Sequence, residues 1–469
     1  MPPTPIAFGT SGWRGILSDD FTVPNLRRAT RAVARYLRAK TKSRAPRVFV
    51  GYDTRFLSEQ LALETARVLS SEGVRPRLSG DFIPTPVIAH AIRRWRLDGG
   101  INLTASHNPA EYQGFKFSTS DGAPAPPEVT HRIEALIRKG MKGDAARGSR
   151  PADLKHWDPS GAYRKAVLRL VDRKAIRRAR LRVVCDPVYG AGRGYLEALL
   201  SGDAAVTAIR SNRDVNFGGH GPDINEKELG PLCREVKRTR SALGLATDGD
   251  ADRFGIVDAG GRFLTANLIL ALLADYLLES RGYRSGIART VSTTHLLDDV
   301  AAHHGVALHE TPVGFKYFRD LLLEGKVFLA GEESAGLSIA GHVPEKDGLL
   351  AGLLVTEMVA RRRRSLHRQV RDLFRKVGPR HSRRIDHRVS PETIASLHRR
   401  LLNPPSTLLG KRVVDVATTD GTRLTLKDGS WLLLRPSGTE PLVRCYAEAR
   451  SPRDLTRLLD VGRALIVGK

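Results

Sequence analysis

Short apolar runs alternate with helix-period segments along almost the whole chain, and no other feature restricts the fold as much. Residues 24–39 carry Leu26, Ala29, Val33 and Tyr36 or Leu37 on one helical face. PRVFVGYD then reads as a strand, SEQLALETARVLSSEG as a helix ending at glycine, and PTPVIAHAIRRW as a helix opening on prolines. GGINLTA, LRVVCDP, LGLATD, ARTVSTT and KVFLAG read as further strands, each running into a polar or glycine-rich loop. Sheets of this kind gather ligands at loops beyond the strands' carboxyl ends, and the polar clusters fall there.

A chain of 469 residues exceeds what one core organises, so three or four domains are expected. Segment 140–155 has the Gly, Pro and charge content of a boundary loop. The character changes again near residue 376. From Lys411 onward RVVDVAT, TRLTLKDG, SWLLLR and VRCYAEAR read as short strands before a last helix from Pro452, a separate α+β unit. No internal sequence repeat is visible.

Four loops carry candidate chemistry. In TASHNP, Thr104 to Pro109, a turn needs Asn-Pro but not Ser-His. Ser106 is therefore a candidate nucleophile, with His107 as a rival or an orienting group; a plain turn is the other reading. In TDGDADRFG, Asp248, Asp250 and Asp252 alternate with small residues, so an extended loop turns three carboxylates to one side. Such anions repel unless a cation neutralises them, and all-oxygen ligation suits Mg²⁺. An EF-hand is excluded, since the sixth loop position lacks glycine and the twelfth lacks glutamate; a solvated acidic turn is the alternative. GEESAG, Gly331 to Gly336, offers carboxylates and a hydroxyl to vicinal sugar hydroxyls, or reads as a helix N-terminus. In RPSGTEPLVR, Arg435, Ser437, Thr439, the backbone around Gly438, and Arg444 make a many-donor anion pocket, or a turn between two strands. FGTSGWRG adds a glycine-framed Arg14. Together these point to phosphoryl transfer on a phosphorylated polyol. No GxSxG is present, which argues against a hydrolase elbow.

Composition excludes several classes. Hydrophobic residues make up 41%, too many for general disorder. The 76 Lys and Arg against 50 Asp and Glu give +26, which raises the question of nucleic acid. The basic residues are spread out, however, and the one dense run, from Arg361, holds a single aromatic, Phe374. A solvated basic surface is the expectation, and nucleic acid is disfavoured as a partner. Three cysteines without metal spacing and an N-terminus unlike a signal peptide suggest a cytoplasmic protein. The longest apolar run, near ANLILALLADYLL, is too short for a bilayer, so no membrane partner is expected.

The motifs TASHNP, DGDADR, GEESAG and RPSGTEP, in that order, resemble the serine, metal, sugar and phosphate loops of the α-D-phosphohexomutase family. FGTSGWRG and GFKF extend the resemblance from about Phe8 to the last helix. It implies three related α/β domains with mixed sheets, 1–155, 156–258 and 259–376, and a smaller C-terminal α+β domain, 377–469, around one central cleft. It makes Ser106 a phosphoserine, with Mg²⁺ held by Asp248, Asp250, Asp252 and a phosphoserine oxygen. Glu332 and Ser334 would grip the sugar, and Arg435, Ser437, Gly438 and Thr439 the phosphate that is not reacting. Arg14, Lys116 and Arg253 match family positions beside the transferring phosphoryl. A hexose 1,6-bisphosphate would be both intermediate and activator, and the protein a monomer or weak dimer. Bifunctional mannose-handling members end the sugar loop in Gly-His, where this chain has Gly336, and glucosamine mutases carry Gln where it has Glu333. That favours glucose phosphates, with mannose phosphates second. The general acid/base is open among Lys346, Lys116 and His107, and the role requires a lowered pKa.

Overall fold

A computed structural model of the chain describes residues 6–41, 45–139, 154, 156–437 and 441–468. The boundary expected at 140–155 lies almost wholly outside them, as do Gly438 and Thr439. The first sheet holds β1 (Trp13–Ile16), β2 (Arg47–Tyr52), β3 (Arg75–Ser79), β4 (Gly99–Leu103), β5 (Tyr112–Thr119) and β6 (His156–Trp157), in the order β1-β5-β4-β2-β3-β6. The second holds β7 (Arg182–Asp186), β8 (Ala205–Ala208), β9 (Leu243–Thr247), β10 (Phe254–Asp258) and β11 (Arg262–Leu264), in the order β11-β10-β9-β7-β8. The third holds β12 (Gly286–Thr290), β13 (Leu308–Thr311), β14 (Val327–Gly331) and β15 (Leu337–Ile339), in the order β13-β12-β14-β15.

These three sheets share a pattern that the sequence hides. In each, a buried central strand runs parallel to one neighbour and then turns back through a hairpin into an antiparallel one. The central strands β4, β9 and β14 are buried at every position, as expected where helices cover both faces. The fourth sheet is wholly antiparallel: β16 (His381–Arg388), β17 (Thr407–Leu408), β18 (Lys411–Ala417), β19 (Thr422–Leu426), β20 (Trp431–Pro436) and β21 (Leu442–Ala449), in the order β16-β21-β20-β19-β18-β17. Helix Pro452–Val467 packs on it, starting at Ser451, whose hydroxyl accepts from the Asp454 amide.

Two strands cross the divisions expected from sequence. β6 pairs with β3 of the first sheet, and β11 closes the second sheet beyond Asp258. Helix Gly348–Arg362 packs against β9 and β10 of the second sheet as well as against helix Ala266–Arg281 of the third unit. One apolar cluster accordingly runs from Phe49 and Ile88 through Leu196 and Leu245 to Leu353 and Leu373. The C-terminal sheet has its own cluster around Leu432, Leu434 and Leu458.

Part of the basic run from Arg361 is ion-paired. Arg361 pairs with Asp172, Arg362 with Asp275 (2.8 Å), Arg364 and Arg375 with Asp372 (2.8 Å each), and Lys376 with Asp275 (2.7 Å). Among the described residues no helix is long and apolar enough to cross a membrane.

Candidate active site

All four candidate loops sit at strand-to-strand hairpins: β4–β5, β9–β10, β14–β15 and β20–β21. The GEESAG segment is thus a hairpin turn and not a helix start. At the first hairpin the chain reverses through Ser106, which takes a left-handed φ of 54° and is 1% exposed. Its amide donates to Thr104 Oγ1 at 2.9 Å, and its Oγ donates to Asp248 Oδ2 at 2.7 Å. The metal loop lies directly against this turn: a Cβ on Gly249 would collide with the Ser106 carbonyl oxygen, so only glycine fits.

Asp248, Asp250 and Asp252 are buried, each offering an oxygen within 4.8 Å of the others. Burial, then Asp252 and Asp250, push the Asp248 carboxyl up to about 8. Burial would raise Asp252 too, but Lys116, Lys346 and Arg253 outweigh it and hold that carboxyl far below the usual range. Lys116 Nζ donates to Asp250 Oδ2 (2.5 Å) and Asp252 Oδ2 (2.8 Å), and Lys346 Nζ lies 3.2 Å from the latter. Thr85 also donates to Asp250. Asp250 Oδ1 and Asp252 Oδ1 are buried without a hydrogen-bond donor. Buried anionic oxygens are costly in that state, and an all-oxygen set fits a hard divalent cation.

Arg14, on edge strand β1, donates to Asn108 Oδ1 of the serine loop at 2.5 Å, and burial with Arg253 nearby brings it down to about 10. The Arg253 amide donates to Asp248 Oδ1 at 3.0 Å. His107 is held neutral, well below the ordinary imidazole range, by burial and by Arg253 and Arg14. The Ser106 hydroxyl donates to Asp248, so the adjacent Ser-His pair is not a hydrogen-bonded dyad. Lys346 does not have the lowered pKa that the acid/base role was expected to need. Burial alone would lower it, but Asp252, Glu345 and Glu332 raise it, and Lys116 is raised likewise by Asp250 and Asp252.

The sugar loop is stitched to the metal loop by its backbone. Arg253 bridges Gly336, and the Phe254 amide donates to the Ala335 carbonyl at 3.2 Å. Glu332 is buried, and burial pushes its carboxyl up to about 7; Oε1 accepts from the Gly314 amide at 3.1 Å. Ser334 is half-buried in the same turn. A Cβ at Gly336 would collide with Lys346 Cδ, so the bare α-carbon admits the lysine to the site. Gly336→Ala is expected to displace Lys346 and cut turnover by about tenfold or more with little change in melting temperature. Unchanged turnover would remove Lys346 from the reaction.

Arg435 and Arg444 face each other across β20 and β21, and the Ser437 amide donates to the Leu442 carbonyl at 2.9 Å. These residues belong to the fourth sheet, apart from the hairpins that carry the serine and the aspartates. Arg435 Nε donates to Asp420 Oδ1 at 2.7 Å.

Sequence reading missed Arg55. Its guanidinium is 1% exposed and donates to five acceptors: Asp53 Oδ2 (3.1 Å) and the carbonyls of Ser106 (2.7 Å), Asn108 (2.6 Å), Pro109 (2.6 Å) and Tyr112 (3.0 Å). Phe217 lies beneath it at 5.0 Å. An Asp-x-Arg pair closing an apolar strand, as in VFVGYDTR, was the available signal. Lysine has three donors to arginine's five. Arg55→Lys should therefore leave buried carbonyls unpaired, at roughly 2–4 kcal/mol of stability in denaturant titrations.

Domain models of phosphoglucomutase/phosphomannomutase match the chain in sequence order: alpha/beta/alpha domain I over residues 5–144, domain II over 161–261, domain III over 265–377 and the C-terminal domain over 392–462. A phosphoglucomutase/phosphomannomutase of Thermococcus kodakarensis is 30% identical over 460 residues, covering 98% of both chains. A probable phosphoglucosamine mutase of Methanosphaera stadtmanae is 30% identical, covering 98% of this chain and 97% of its own. The crystal structure of a putative phosphomannomutase from Thermus thermophilus superposes with a TM-score of 0.88 at 33% identity, covering 99% of each. The hexose named differs among these relatives, but every one is a mutase matched from end to end, and the chain therefore belongs to the phosphoglucomutase/phosphomannomutase family, the α-D-phosphohexomutases.

Proposed function

We propose that the protein interconverts glucose 1-phosphate and glucose 6-phosphate through a phosphorylated Ser106 and a glucose 1,6-bisphosphate intermediate. The observation that carries this reading is the Ser106 hydroxyl, hydrogen-bonded to Asp248 of a buried carboxylate triad that Lys116, Lys346, Arg253 and Arg14 surround. Mg²⁺ bound by Asp248, Asp250, Asp252 and a phosphoserine oxygen would neutralise charge on the transferring phosphoryl group. The remaining work falls to the chain itself. The bond from phosphorus to Ser106 Oγ breaks as a bond to the sugar's free hydroxyl oxygen forms, the hydroxyl proton passing in net to Oγ, and in the second half-reaction the other phosphate returns to Oγ as its proton passes to the sugar oxygen released. Lys116 and Lys346, held charged by neighbouring carboxylates, suit binding the phosphoryl oxygens through the transfer, and their raised pKa makes them poor proton donors and poor bases alike. Glu332 and Ser334 read the sugar hydroxyls, while Arg435, Ser437, Gly438, Thr439 and Arg444 hold the second phosphate.

Glucose is preferred because Glu333 and Gly336 occupy the sugar loop and Lys346 fills the space beside Gly336. The test is phosphorus NMR of glucose 1-phosphate with Mg²⁺ and a trace of glucose 1,6-bisphosphate, with mannose 1-phosphate in parallel. Growth of a hexose 6-phosphate signal, faster with glucose, is expected. A faster mannose reaction would reassign the sugar, and release of inorganic phosphate alone would replace the mutase reading with a phosphatase.

A further inference from the structure

The C-terminal sheet touches the third unit through several polar contacts, and one of them leads into the site. Asp420 lies in the turn between β18 and β19. Its Oδ1 accepts from Arg435 Nε at 2.7 Å, and its Oδ2 accepts from the Val313 amide at 2.9 Å. The next amide along the chain, that of Gly314, donates to Glu332 Oε1 at 3.1 Å. One carboxylate and two consecutive peptide units therefore connect the guanidinium of the fourth hairpin to the buried carboxylate of the third.

We propose that Asp420 is a positioning residue that ties the phosphate-holding arginine Arg435 to the sugar-reading carboxylate Glu332, so that each is aligned only when the other is. This rests on the roles assigned to Arg435 and Glu332 above. An arginine held by Nε has a fixed guanidinium plane. The same carboxylate holds the 312–313 peptide, and the adjoining 313–314 peptide presents its N–H to Glu332. A sugar phosphate that must be read in two orientations thus meets a phosphate clamp and a hydroxyl reader at a set separation. The other contacts between these units do not reach Glu332, although a second path, from Glu448 through Thr294 to the hydroxyl of Thr293, reaches the Glu333 amide at 3.0 Å. Glu310 of the third unit pairs with Arg423 of the fourth, and Glu448 of the fourth accepts from the His295 amide of the third (3.0 Å).

Asp420→Asn is the informative change, because the amide retains the shape but presents a donor on one side. Whichever way it turns, it faces either Arg435 Nε–H or the Val313 N–H with an N–H of its own, and one link is lost. Hydrogen exchange of the unliganded protein should show the amides of Val313 and Gly314 exchanging at least tenfold faster in Asp420→Asn. Glu310→Gln, which loosens the same pair of units elsewhere, should leave them unchanged. On the full enzyme, the effects of Arg435→Lys and Glu332→Gln on KM for glucose 1-phosphate should be non-additive by about fivefold. They should become additive within about twofold once Asp420→Asn is added. Unchanged exchange in Asp420→Asn, equal loss of protection in Glu310→Gln, or the same degree of additivity with and without Asp420→Asn would each overturn the link. Failure of the unaltered protein to convert any hexose phosphate would instead sink the mutase reading, and the exchange measurement would still decide whether Asp420 holds the 313–314 turn.

Discussion

Ser106→Ala is expected to lower turnover by about ten-thousandfold or more, about 5 kcal/mol of lost transition-state stabilisation, while leaving the fold intact. The serine is buried at the base of a hairpin, and its hydroxyl is hydrogen-bonded to Asp248. Alanine tolerates the left-handed φ about as well as serine does, and the backbone amide keeps its bond to Thr104 Oγ1. The five-way Arg55 clamp grips backbone carbonyls and Asp53, so it survives the change. Intact-mass spectrometry after incubation with glucose 1,6-bisphosphate should show a phosphoryl increment in the unaltered protein and none in the variant. Near-normal turnover in the variant would move the phosphoryl carrier to another residue, His107 first. Sugar-phosphate binding measured by calorimetry should persist, because the groups assigned to bind the substrate lie on other loops.

Asp250→Asn should weaken Mg²⁺ binding by about a hundredfold, about 2.7 kcal/mol, and lower turnover in parallel. Replacing a carboxylate by an amide is often mild, but here the orientation is forced. Asp250 Oδ2 accepts from Lys116 Nζ at 2.5 Å and from the Thr85 hydroxyl, which in turn accepts from Asn102 Nδ2 at 2.9 Å. An asparagine must present its carbonyl oxygen to those donors. Its NH₂ then occupies the place of Oδ1, the buried oxygen that has no donor of its own and is suited to a cation. A metal titration of turnover, with isothermal calorimetry on the unphosphorylated protein, measures the effect. An unchanged midpoint in both would remove Asp250 from the metal site.

Much of this was legible because buried strands and glycine-framed loops leave strong local signals. The strands PRVFVGYD, LRVVCDP and KVFLAG and the helix from Pro452 appear as expected, and the alternation of aspartates in DGDADR does gather three carboxylates. What escaped depends on contacts distant in sequence. The pairing of β6 with β3 and of β11 with β10 is decided by which sheet edge is open, which neither composition nor a resemblance between loops displays. The raised pKa of Lys346 follows from Asp252, nearly a hundred positions earlier. Arg55 and Asp420 work on backbone carbonyls and amides of other loops, and a backbone acceptor has no residue type to recognise. GEESAG was ambiguous for a different reason: glutamate and serine serve hairpin turns and helix starts alike, and only the pairing of β14 with β15 decides between them.

Helix Gly348–Arg362 also limits how this enzyme can be rebuilt by recombination. Its Gly352 lies against Leu196 and Leu245, its N-cap Asp347 receives the Tyr163 hydroxyl at 2.7 Å, and Glu357 caps the Asp172 amide at 2.7 Å. All four partners come from the preceding segment. A chimera joined near residue 260 would pair a foreign helix with this native sheet, and both halves would expose apolar surface. A joint near residue 378 severs no such helix and leaves the last sheet a core of its own, the shared apolar contact being a small cluster of Trp431, Leu433 and Tyr446 on Val291. Exchange of parts between relatives should therefore succeed for the fourth unit alone, while the first three are inherited as a block.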